Sequence, residues 1–382
     1  MNFKVRATVI TYLMASCVLV SLHPSGPLLS QCTQSDSGTD RIDLACTVGS
    51  GQFLDYNDIR AFTRARPDTK KFNVGIDCSG GGVIHLPWPF SAINVVSLQV
   101  SGCETVGYIS EMFDQYPHSN ELKNVLLADV KHMITIKELY ETFQSHDAVP
   151  KDFDCGLKGA VVQVFKNTQY KFPPPTGSVE EMIMLEELMS KNTLEKLLSH
   201  NSICRYPYLQ YLEESGNTAL SSLRFKLMEA TSLYPELRYY VLKNNTLPSV
   251  PVEFRNLAAG FLPKLEILDL SRNDIRNLDF AFNVQRDAIK PLLINLQNNK
   301  IQVLRKILVD SLIQKRNVIL DVRRNPLVCT CDLYKYAEFL LSLPVNYEAT
   351  DLANFSCTYE QGMKREVHHI SEPSLRTALC NF

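Results

Sequence analysis

The segment LEILDLSRNDI, residues 265–275, decides the fold, because its apolar side chains recur at spacings typical of a short strand that enters a turn. Leu268 and Leu270 are two residues apart, so on a strand both side chains point to the same face. Asn273 follows where the chain leaves the strand, and its amide can hydrogen-bond backbone groups that the turn leaves unpaired. The segment therefore predicts a strand with one buried face, followed by an asparagine-stabilised turn.

This pattern recurs in register along the C-terminal half of the chain. Asparagines occupy the turn position at residues 245, 273, 299 and 325, in steps of 28, 26 and 26 residues. The pattern resembles leucine-rich repeats, which have periods of about 20 to 29 residues. Stacked repeats bury their apolar residues against one another. We therefore expect an α/β solenoid, a leucine-rich-repeat horseshoe with a parallel concave sheet and disulfide-bonded caps at both ends. The matching apolar sets are Leu237, Tyr240, Leu242 and Leu247; Pro291, Ile294, Leu296 and Ile301; and Leu320, Val322 and Leu327.

The pattern weakens towards the N-terminus. One repeat ends at Asn217 but has Glu214 where a leucine should point inward. Val162, Val164 and Asn167 fit the pattern next, about two periods upstream, which predicts that the two valines point inward. We expect about eight to nine repeats in residues 94–324, with residues 140–235 degenerate. Two weaker units, residues 98–103 and 125–130, complete the run.

The degenerate region allows two interpretations of residues 178–192. A missing repeat could lie at 185–192, or SVEE at 178–181 could be a capping box that opens a helix over 178–190. We favour the helix. The long gap between residues 130 and 167 predicts an insertion that carries Cys155.

Residues 1–24 predict a cleaved signal peptide. Lys4 and Arg6 precede an apolar block of 16 residues at 7–22, and HPSGP at 23–27 ends it. A signal anchor would need about 20 apolar residues. A lipoprotein signal ending at Cys17 would be followed by polar residues, and here apolar ones follow. We therefore expect a secreted, extracellular protein with no membrane span, cleaved within residues 21–30.

Composition narrows the function classes. The 382 residues are 45% hydrophobic and 21% charged, which is typical of a globular chain. The formal net charge is −2, and removal of Lys4 and Arg6 with the signal leaves −4. A mildly acidic chain is a poor match for nucleic acid.

The cysteine content favours disulfides. Of eleven cysteines, Cys17 lies in the signal, which leaves an even number in an exported chain. Metal binding would favour pairs separated by two or more residues, whereas one residue separates Cys329 from Cys331. The ten expected disulfide cysteines are Cys32, Cys46, Cys78, Cys103, Cys155, Cys204, Cys329, Cys331, Cys357 and Cys380.

Residues 325–334, NPLVCTCDLY, together with Cys357 and Cys380, resemble the cysteine-rich C-terminal cap of extracellular leucine-rich-repeat proteins. The resemblance implies a cap over residues 325–382 in which the first cysteine pairs with the third and the second with the fourth. These pairs are Cys329–Cys357 and Cys331–Cys380. The family usually has tryptophan near the position of Tyr334, so this chain departs slightly from the pattern.

Residues 74–87, VGIDCSGGGVIHLP, resemble the last segment of the family's N-terminal cap, which we expect over residues 25–93. The family's first cysteines form a tighter cluster than Cys32 and Cys46 do. The pairs Cys32–Cys46 and Cys78–Cys103 are therefore provisional assignments. A long N-terminal cap with a cysteine in the first repeat is weakly similar to arthropod Toll-like ectodomains.

The outward strand positions predict a binding face. In a solenoid these positions align into columns on the concave wall, the usual binding surface, and exposed apolar patches commonly mark partner sites. A loop, a second copy of the chain or the helix over 178–190 could cover the wall instead. The first column is Tyr211, Tyr239, Ile267, Leu293 and Ile319; the second is Glu213, Val241, Asp269, Asn295 and Asp321; the third is Ser215, Lys243, Ser271, Gln297 and Arg323.

Asn244 and Asn354 begin the triplets NNT and NFS, which fit the rule for N-glycosylation. Known catalytic motifs are missing from the sequence, and Gly80–Gly82 belongs to the cap pattern. We interpret His368 and His369 as part of a solvated cap loop rather than a metal or acid–base site. The expected protein is no enzyme and has no cofactor or metal.

The sequence thus predicts an extracellular binding protein that recognises a protein or glycan on the concave face, in innate immunity or cell-surface signalling. The alternatives are a matrix or adhesion component, and the ligand-binding ectodomain of a Toll-like receptor without its membrane and cytoplasmic parts. An exported enzyme with its site in residues 140–235 is the alternative from another class. The oligomeric state is open.

Overall fold

The computed structural model describes residues 30–36, 40–111, 121–144, 157, 159–174, 176–190, 204–217, 232–257, 262–285, 290–343, 352–361, 364–370 and 372–380. The predicted signal at residues 1–24 and the predicted disulfide cysteine Cys155 lie outside the described residues.

The described residues form twenty strands and seven helices. The strands are β1 Cys32–Asp36, β2 Arg41–Thr47, β3 Phe53–Asp55, β4 Lys71–Asp77, β5 Val83–His85, β6 Val95–Ser101, β7 Glu104–Val106, β8 Asn124–Ala128, β9 Lys131–Met133, β10 Val162–Lys166, β11 Gln169–Lys171, β12 Cys204–Arg205, β13 Tyr211–Ser215, β14 Ser232–Leu233, β15 Tyr239–Val241, β16 Ile267–Asp269, β17 Leu292–Asn295, β18 Val318–Asp321, β19 Ser356–Gln361 and β20 Lys364–His369. The helices are α1 Tyr56–Arg64, α2 Ile136–Gln144, α3 Val179–Ser190, α4 Val252–Arg255, α5 Lys306–Lys315, α6 Cys331–Leu341 and α7 Pro373–Cys380.

One sheet of eleven strands runs along the molecule in the order β1-β2-β4-β6-β8-β10-β13-β15-β16-β17-β18. Its neighbours are parallel throughout, apart from β1, which lies antiparallel to β2 at the N-terminal edge. Each strand buries alternate apolar side chains, such as Leu268 and Ile294, in one continuous core. The chain is therefore a leucine-rich-repeat solenoid, as the spacing of its leucines predicts.

After strands β13, β15, β16, β17 and β18, the predicted asparagines form a ladder at the turn; they are Asn217, Asn245, Asn273, Asn299 and Asn325. The amide of Asn273 donates to the carbonyls of Leu242 and Leu270, each at 2.9 Å. Its Oδ1 accepts from the backbone N–H groups of Asn245 at 2.9 Å and Leu247 at 3.0 Å. One buried side chain thus satisfies backbone groups in its own repeat and in the repeat before it.

The residue before the ladder position adopts a left-handed backbone conformation in eight successive repeats. This conformation favours glycine, asparagine and aspartate, and arginine occupies two of the eight positions. The residues and their φ angles are Gly102 66°, Asp129 55°, Asn167 49°, Gly216 68°, Asn244 58°, Arg272 56°, Asn298 53° and Arg324 58°.

The structure corrects the predicted phase of the repeat at residues 162–168. Gln163 pairs with Leu212 and is buried, so the prediction that Val162 and Val164 point inward is wrong by one residue. The ladder position belongs to Thr168, whose N–H and hydroxyl donate to Asn217 Oδ1 at 2.7 and 2.8 Å. A slip of one residue exchanges the two faces of a strand. The error arose because Asn167, which takes the left-handed turn position, was assigned to the ladder.

Glu214 points inward, as predicted, and is 3% exposed. It stands at a leucine position, and the hydroxyl of Tyr240 in the next repeat donates to its Oε2 at 3.1 Å. A polar contact between repeats thus replaces part of the apolar packing at this level.

A second parallel sheet, in the order β11-β9-β7-β5-β3, accompanies the N-terminal half of the main sheet. Helix α2 follows β9 in this sheet, and α3 packs against α2 through a hydrogen bond from the hydroxyl of Tyr140 to Glu187 Oε2 at 2.8 Å. Helix α3 is the helix that the capping box predicts, and Ser178 Oγ accepts from Glu181 N–H at 3.2 Å. The two helices therefore lie beside each other.

The N-terminal end is closed by disulfides and a tight glycine turn. Cys32–Cys46 joins β1 to β2, and Cys78 is bonded to Cys103. A Cβ on Gly82 would lie 2.4 Å from the carbonyl oxygen of Val48, so this position of the GGG segment accepts only glycine. Strands β2 and β4 already belong to the main sheet, which therefore extends into the segment predicted as the N-terminal cap.

The C-terminal end is closed by α6 and two disulfides, Cys329–Cys357 and Cys331–Cys380, the pattern that the family resemblance implies. Strand β18 is the last strand of the main sheet. The Tyr336 hydroxyl accepts from the N–H of Leu320 and donates to its carbonyl, both at 2.8 Å. A side chain of the cap thus takes the hydrogen-bonding place of the next strand.

Candidate functional site on the concave face

The strand register aligns the predicted columns across the main sheet. Tyr211 pairs with Tyr239, Tyr239 with Ile267, and Ile267 with Leu293. Tyr239 is 38% exposed and the other three are partly exposed. The rings of the two tyrosines are 6.2 Å apart. These four side chains, here called the apolar strip, span about 14 Å across four strands.

Three side chains of the second column form hydrogen bonds within the protein. Asp269, Asn295 and Asp321 each accept, through Oδ1, from the backbone N–H two residues further on, at 2.9, 3.0 and 3.2 Å. Such side-chain turns end a strand without help from a ligand. The structure thus gives these three predicted ligand-binding residues an internal role.

Six predicted surface positions are buried, namely Glu213, Ser215, Val241, Ser271, Ile319 and Asp321. Val241 and Ser271 have short side chains and are 8% and 7% exposed. Asp321 is covered by Arg323, which donates to it at 2.7 Å, and by Gln297. Ile319 lies on β18, beside the cap. The expectation of a fully exposed wall is therefore wrong at these positions. Lys243, Gln297 and Arg323 are partly exposed.

A carboxylate lies at the centre of the face. Glu213 is 2% exposed, and its Oε2 and Oε1 accept from the hydroxyls of Tyr211 and Ser215, both at 2.7 Å. The ammonium of Lys243 lies 3.4 Å from Oε1, and that of Lys166 lies 3.8 Å from Oε2. Glu213 therefore fixes two hydroxyls and anchors two lysines.

These contacts set the ionisation of the cluster. Burial on its own raises the pKa of Glu213, but the hydrogen bonds from Tyr211 and Ser215 and the charges of Lys243 and Lys166 outweigh it and lower the pKa. Burial and the neighbouring carboxylate raise the pKa of the Tyr211 phenol. At neutral pH Glu213 is thus a carboxylate and Tyr211 a neutral phenol.

Lys166 is a residue of this face that the sequence analysis missed. It pairs with Ser215 in the third column, and the shifted phase at residues 162–168 had assigned it to the wrong side of the strand. The signal that could have found it is the residue type before the ladder position. Asp129 and Gly216 occupy that place in neighbouring repeats, and Asn167 fits the same place better than it fits the ladder.

The predicted glycosylation residues lie at the surface. Asn244 is exposed in the left-handed turn after β15, and Asn354 is exposed with its Oδ1 2.7 Å from His369 Nε2. His368 and His369 lie on strand β20 and not in the loop that we predicted. The register of the β19–β20 hairpin explains this difference, because His368 pairs with Cys357. His368 Nδ1 is 2.9 Å from Glu372 Oε2.

The part of the chain that the structure describes contains no cluster of three or more His, Cys, Asp or Glu side chains that could hold a metal ion. None of the helices in this part combines the length and apolar character needed to cross a bilayer. The enzyme alternative concerned residues 140–235, and residues 145–156, 191–203 and 218–231 of that segment lie outside the description.

No protein-family model matches the chain, and no curated protein sequence matches it either. Solved structures of similar fold include human 5T4 (Wnt-activated inhibitory factor 1, trophoblast glycoprotein), with 17% identity and a TM-score of 0.38 over 85% of this chain and 89% of that one. The Toll–Spatzle complex of Drosophila matches with 16% identity and a TM-score of 0.33 over 71% of this chain and 30% of that one. A chain of an octameric complex of latrophilin 3, Unc5D and FLRT2 matches with 14% identity and a TM-score of 0.29, over 73% and 82%.

Proposed function

We propose that this chain is an exported binding protein that recognises a protein partner on its concave face and does no chemistry itself. The observation that carries the proposal is the apolar strip of Tyr211, Tyr239, Ile267 and Leu293, which stays partly exposed although every neighbouring strand is paired. Exposed apolar side chains in a continuous row favour a partner that covers them.

Export is supported by two independent features. The N-terminal residues have the order of a signal peptide, and disulfides close both ends of the solenoid. We also propose that Asn244 and Asn354 carry N-linked glycans, because both are exposed members of acceptor triplets. Treatment of the secreted protein with peptide N-glycosidase tests this point. We expect the wild type to lose mass and the Asn244→Gln/Asn354→Gln variant to keep its mass.

The test of binding uses the full chain recovered from the medium of secreting animal cells. Proteins bound to it are crosslinked and identified, and each is then measured against Tyr239→Ser and Ile267→Ser. Both variants remove exposed apolar surface from the strip, so we expect at least a tenfold loss of affinity, about 1.4 kcal/mol.

The matched control is Ile307→Ser, which removes a side chain that is 60% exposed on helix α5. This variant should bind as the wild type does. Equal binding by all three variants would contradict the proposal, as would loss of binding by Ile307→Ser alone.

A further inference from the structure

We infer that Lys166 and Lys243 form a second, polar half of this site and bind an acidic side chain of the protein partner. The inference rests on the proposed function and adds a definite chemistry to it: the partner presents apolar side chains to the strip and a carboxylate to the two lysines.

The register brings the two lysines together. Lys166 on β10 and Lys243 after β15 lie on either side of Ser215 in the third column, two strand spacings or about 10 Å apart at the backbone. Their side chains converge on the two oxygens of one carboxylate, Glu213. The two ammonium groups are therefore held in place before any partner arrives.

Glu213 leaves these ammonium groups available. Its oxygens already accept short bonds from Tyr211 and Ser215, whereas the ammonium distances of 3.4 and 3.8 Å exceed those of ordinary hydrogen bonds. The side chain of Lys166 is 49% exposed and that of Lys243 is 41% exposed, whereas that of Glu213 is 3% exposed. A partner therefore meets two cations above a covered anion, and the three groups together carry one net positive charge.

Two further acids lie nearby, and each is hydrogen-bonded to a group other than the lysines. Asp269 Oδ1 accepts from the N–H of Ser271, and Asp129 Oδ1 accepts from the side-chain amide of Asn167 at 2.6 Å. Among the described residues, the ion pairs of Lys166 and Lys243 are with Glu213. A carboxylate from a partner could thus complete the hydrogen bonding of both lysines. Pairing of this kind mainly gives specificity and faster association.

The apolar strip selects a protein acid over a sulfated glycan. Tyr211 and Ser215 lie at the two ends of β13, so the strip and the lysines are four residues or about 13 Å apart along the strands. A sulfated glycan could meet the lysines but would gain nothing from Ile267 and Leu293. An extended segment with an apolar residue and, four positions later, an acidic one would reach both.

The test uses two displayed libraries of short random peptides, selected on the full secreted chain. One has a fixed leucine and, four residues later, a fixed glutamate, and the other has glutamine at that second position. We expect the glutamate library to yield binders at least about tenfold tighter than the glutamine library does. That advantage should disappear on Lys166→Gln/Lys243→Gln and persist on Lys137→Gln/Lys300→Gln, which removes two lysines from ion pairs elsewhere.

Each other result overturns the inference. Equal yields from both libraries, with binding lost in Ile267→Ser, would leave the proposed function intact and exclude a role for the lysines. Glutamate-dependent binding that survives the double lysine substitution would place the acid elsewhere. Heparin binding that depends on both lysines, without a preference for glutamate peptides, would indicate a sulfated glycan. A lack of any binder sensitive to Ile267→Ser would contradict the proposed function as well.

A thermal melt of Lys166→Gln/Lys243→Gln shows whether this variant is folded. If Lys166→Gln/Lys243→Gln unfolds because Glu213 loses its cations, the triple variant with Glu213→Gln removes the buried charge and serves in its place. It should lose the preference for glutamate to the same degree.

Discussion

Gln163 shows how one residue can depart from the repeat pattern at a measurable cost. It occupies an inward position between Val125 and Leu212 and is completely buried, and neither polar atom of its amide has a hydrogen-bond partner among the described residues. Burial of an amide without partners costs roughly 1 to 3 kcal/mol. The residue therefore weakens the level of the solenoid that it occupies.

We predict that Gln163→Leu raises the free energy of unfolding by about 1 to 3 kcal/mol, because leucine fills the position without a desolvation penalty. Urea unfolding followed by circular dichroism measures the change. The matched control is Gln99→Leu, on the exposed face of β6, which should change the stability by less than about 0.5 kcal/mol. A destabilised Gln163→Leu would contradict this prediction and indicate that the amide stabilises the fold.

Glu213 predicts a dependence of stability on pH. Its pKa is lower in the folded protein than in the unfolded chain, where a glutamate has a value of about 4.3. Ionised Glu213 therefore stabilises the fold above that pH, and the contribution is lost as the pH falls through the lower folded value.

We expect Glu213→Gln to melt below the wild type at pH 6, and the difference between them to shrink as the pH falls below about 4. Melting temperatures of both proteins across this range give the answer. Glu236→Gln, which removes an exposed partner of Lys264, should melt close to the wild type at every pH. A constant difference for Glu213→Gln would mean that its ionisation does not contribute.

At the scale of elements, one tyrosine supplies hydrogen bonds to the last strand at the C-terminal end of the main sheet. Within the part of the chain that the structure describes, β18 is the terminal strand of the main sheet, and the Tyr336 hydroxyl bonds both backbone groups of Leu320. The side chain is completely buried, so water cannot replace these bonds.

Tyr336→Phe should therefore lower the free energy of unfolding by about 1 to 3 kcal/mol, since it leaves two buried backbone groups unpaired. Denaturant unfolding measures this loss. Tyr208→Phe removes a hydroxyl from a side chain that is 59% exposed, and we expect little change from it. If both variants are equally stable, the cap must bond β18 in another way.

At the scale of the whole molecule, stability should be close to a sum over neighbouring repeats, because each level contacts only the next. Loss of a disulfide in one cap should then destabilise the repeats nearest that cap first. The Cys329–Cys357 disulfide closes a loop with a sequence separation of 28, and removal of such a crosslink costs about 3 to 4 kcal/mol.

We predict that Cys329→Ala/Cys357→Ala loses amide hydrogen-exchange protection first in β18 and β17, with β4 and β6 unaffected. Cys32→Ala/Cys46→Ala should show the mirror image, with the loss beginning at β2. Exchange measured by mass spectrometry on both variants distinguishes the two patterns. A uniform loss along the sheet would show that the solenoid unfolds as a single cooperative unit.

How far the sequence predicts the molecule depends on the part considered. The C-terminal repeats follow from the spacing of Leu268, Leu270 and Asn273, because leucine and asparagine leave few alternatives at those positions. The unit at residues 162–168 was misplaced by one, because Gln163 and Thr168 stand where the pattern expects leucine and asparagine. The second sheet was not predicted, because the sequences of its strands (FLD in β3, VIH in β5, ETV in β7, KHM in β9 and QYK in β11) share no recurring residue pattern.

The sequence by itself determined the repeat, the parallel order of its strands and the ladder asparagines from Asn217 to Asn325, because these depend on local spacing that the C-terminal repeats share. Only the tertiary structure decided which outward residues are available to a partner. It turned Asp269, Asn295 and Asp321 into strand-ending acceptors, buried Ile319 beside the cap, and brought Lys166 to Glu213 from 47 residues away. Exposure and charge pairing depend on neighbours in adjacent strands, which are distant along the chain.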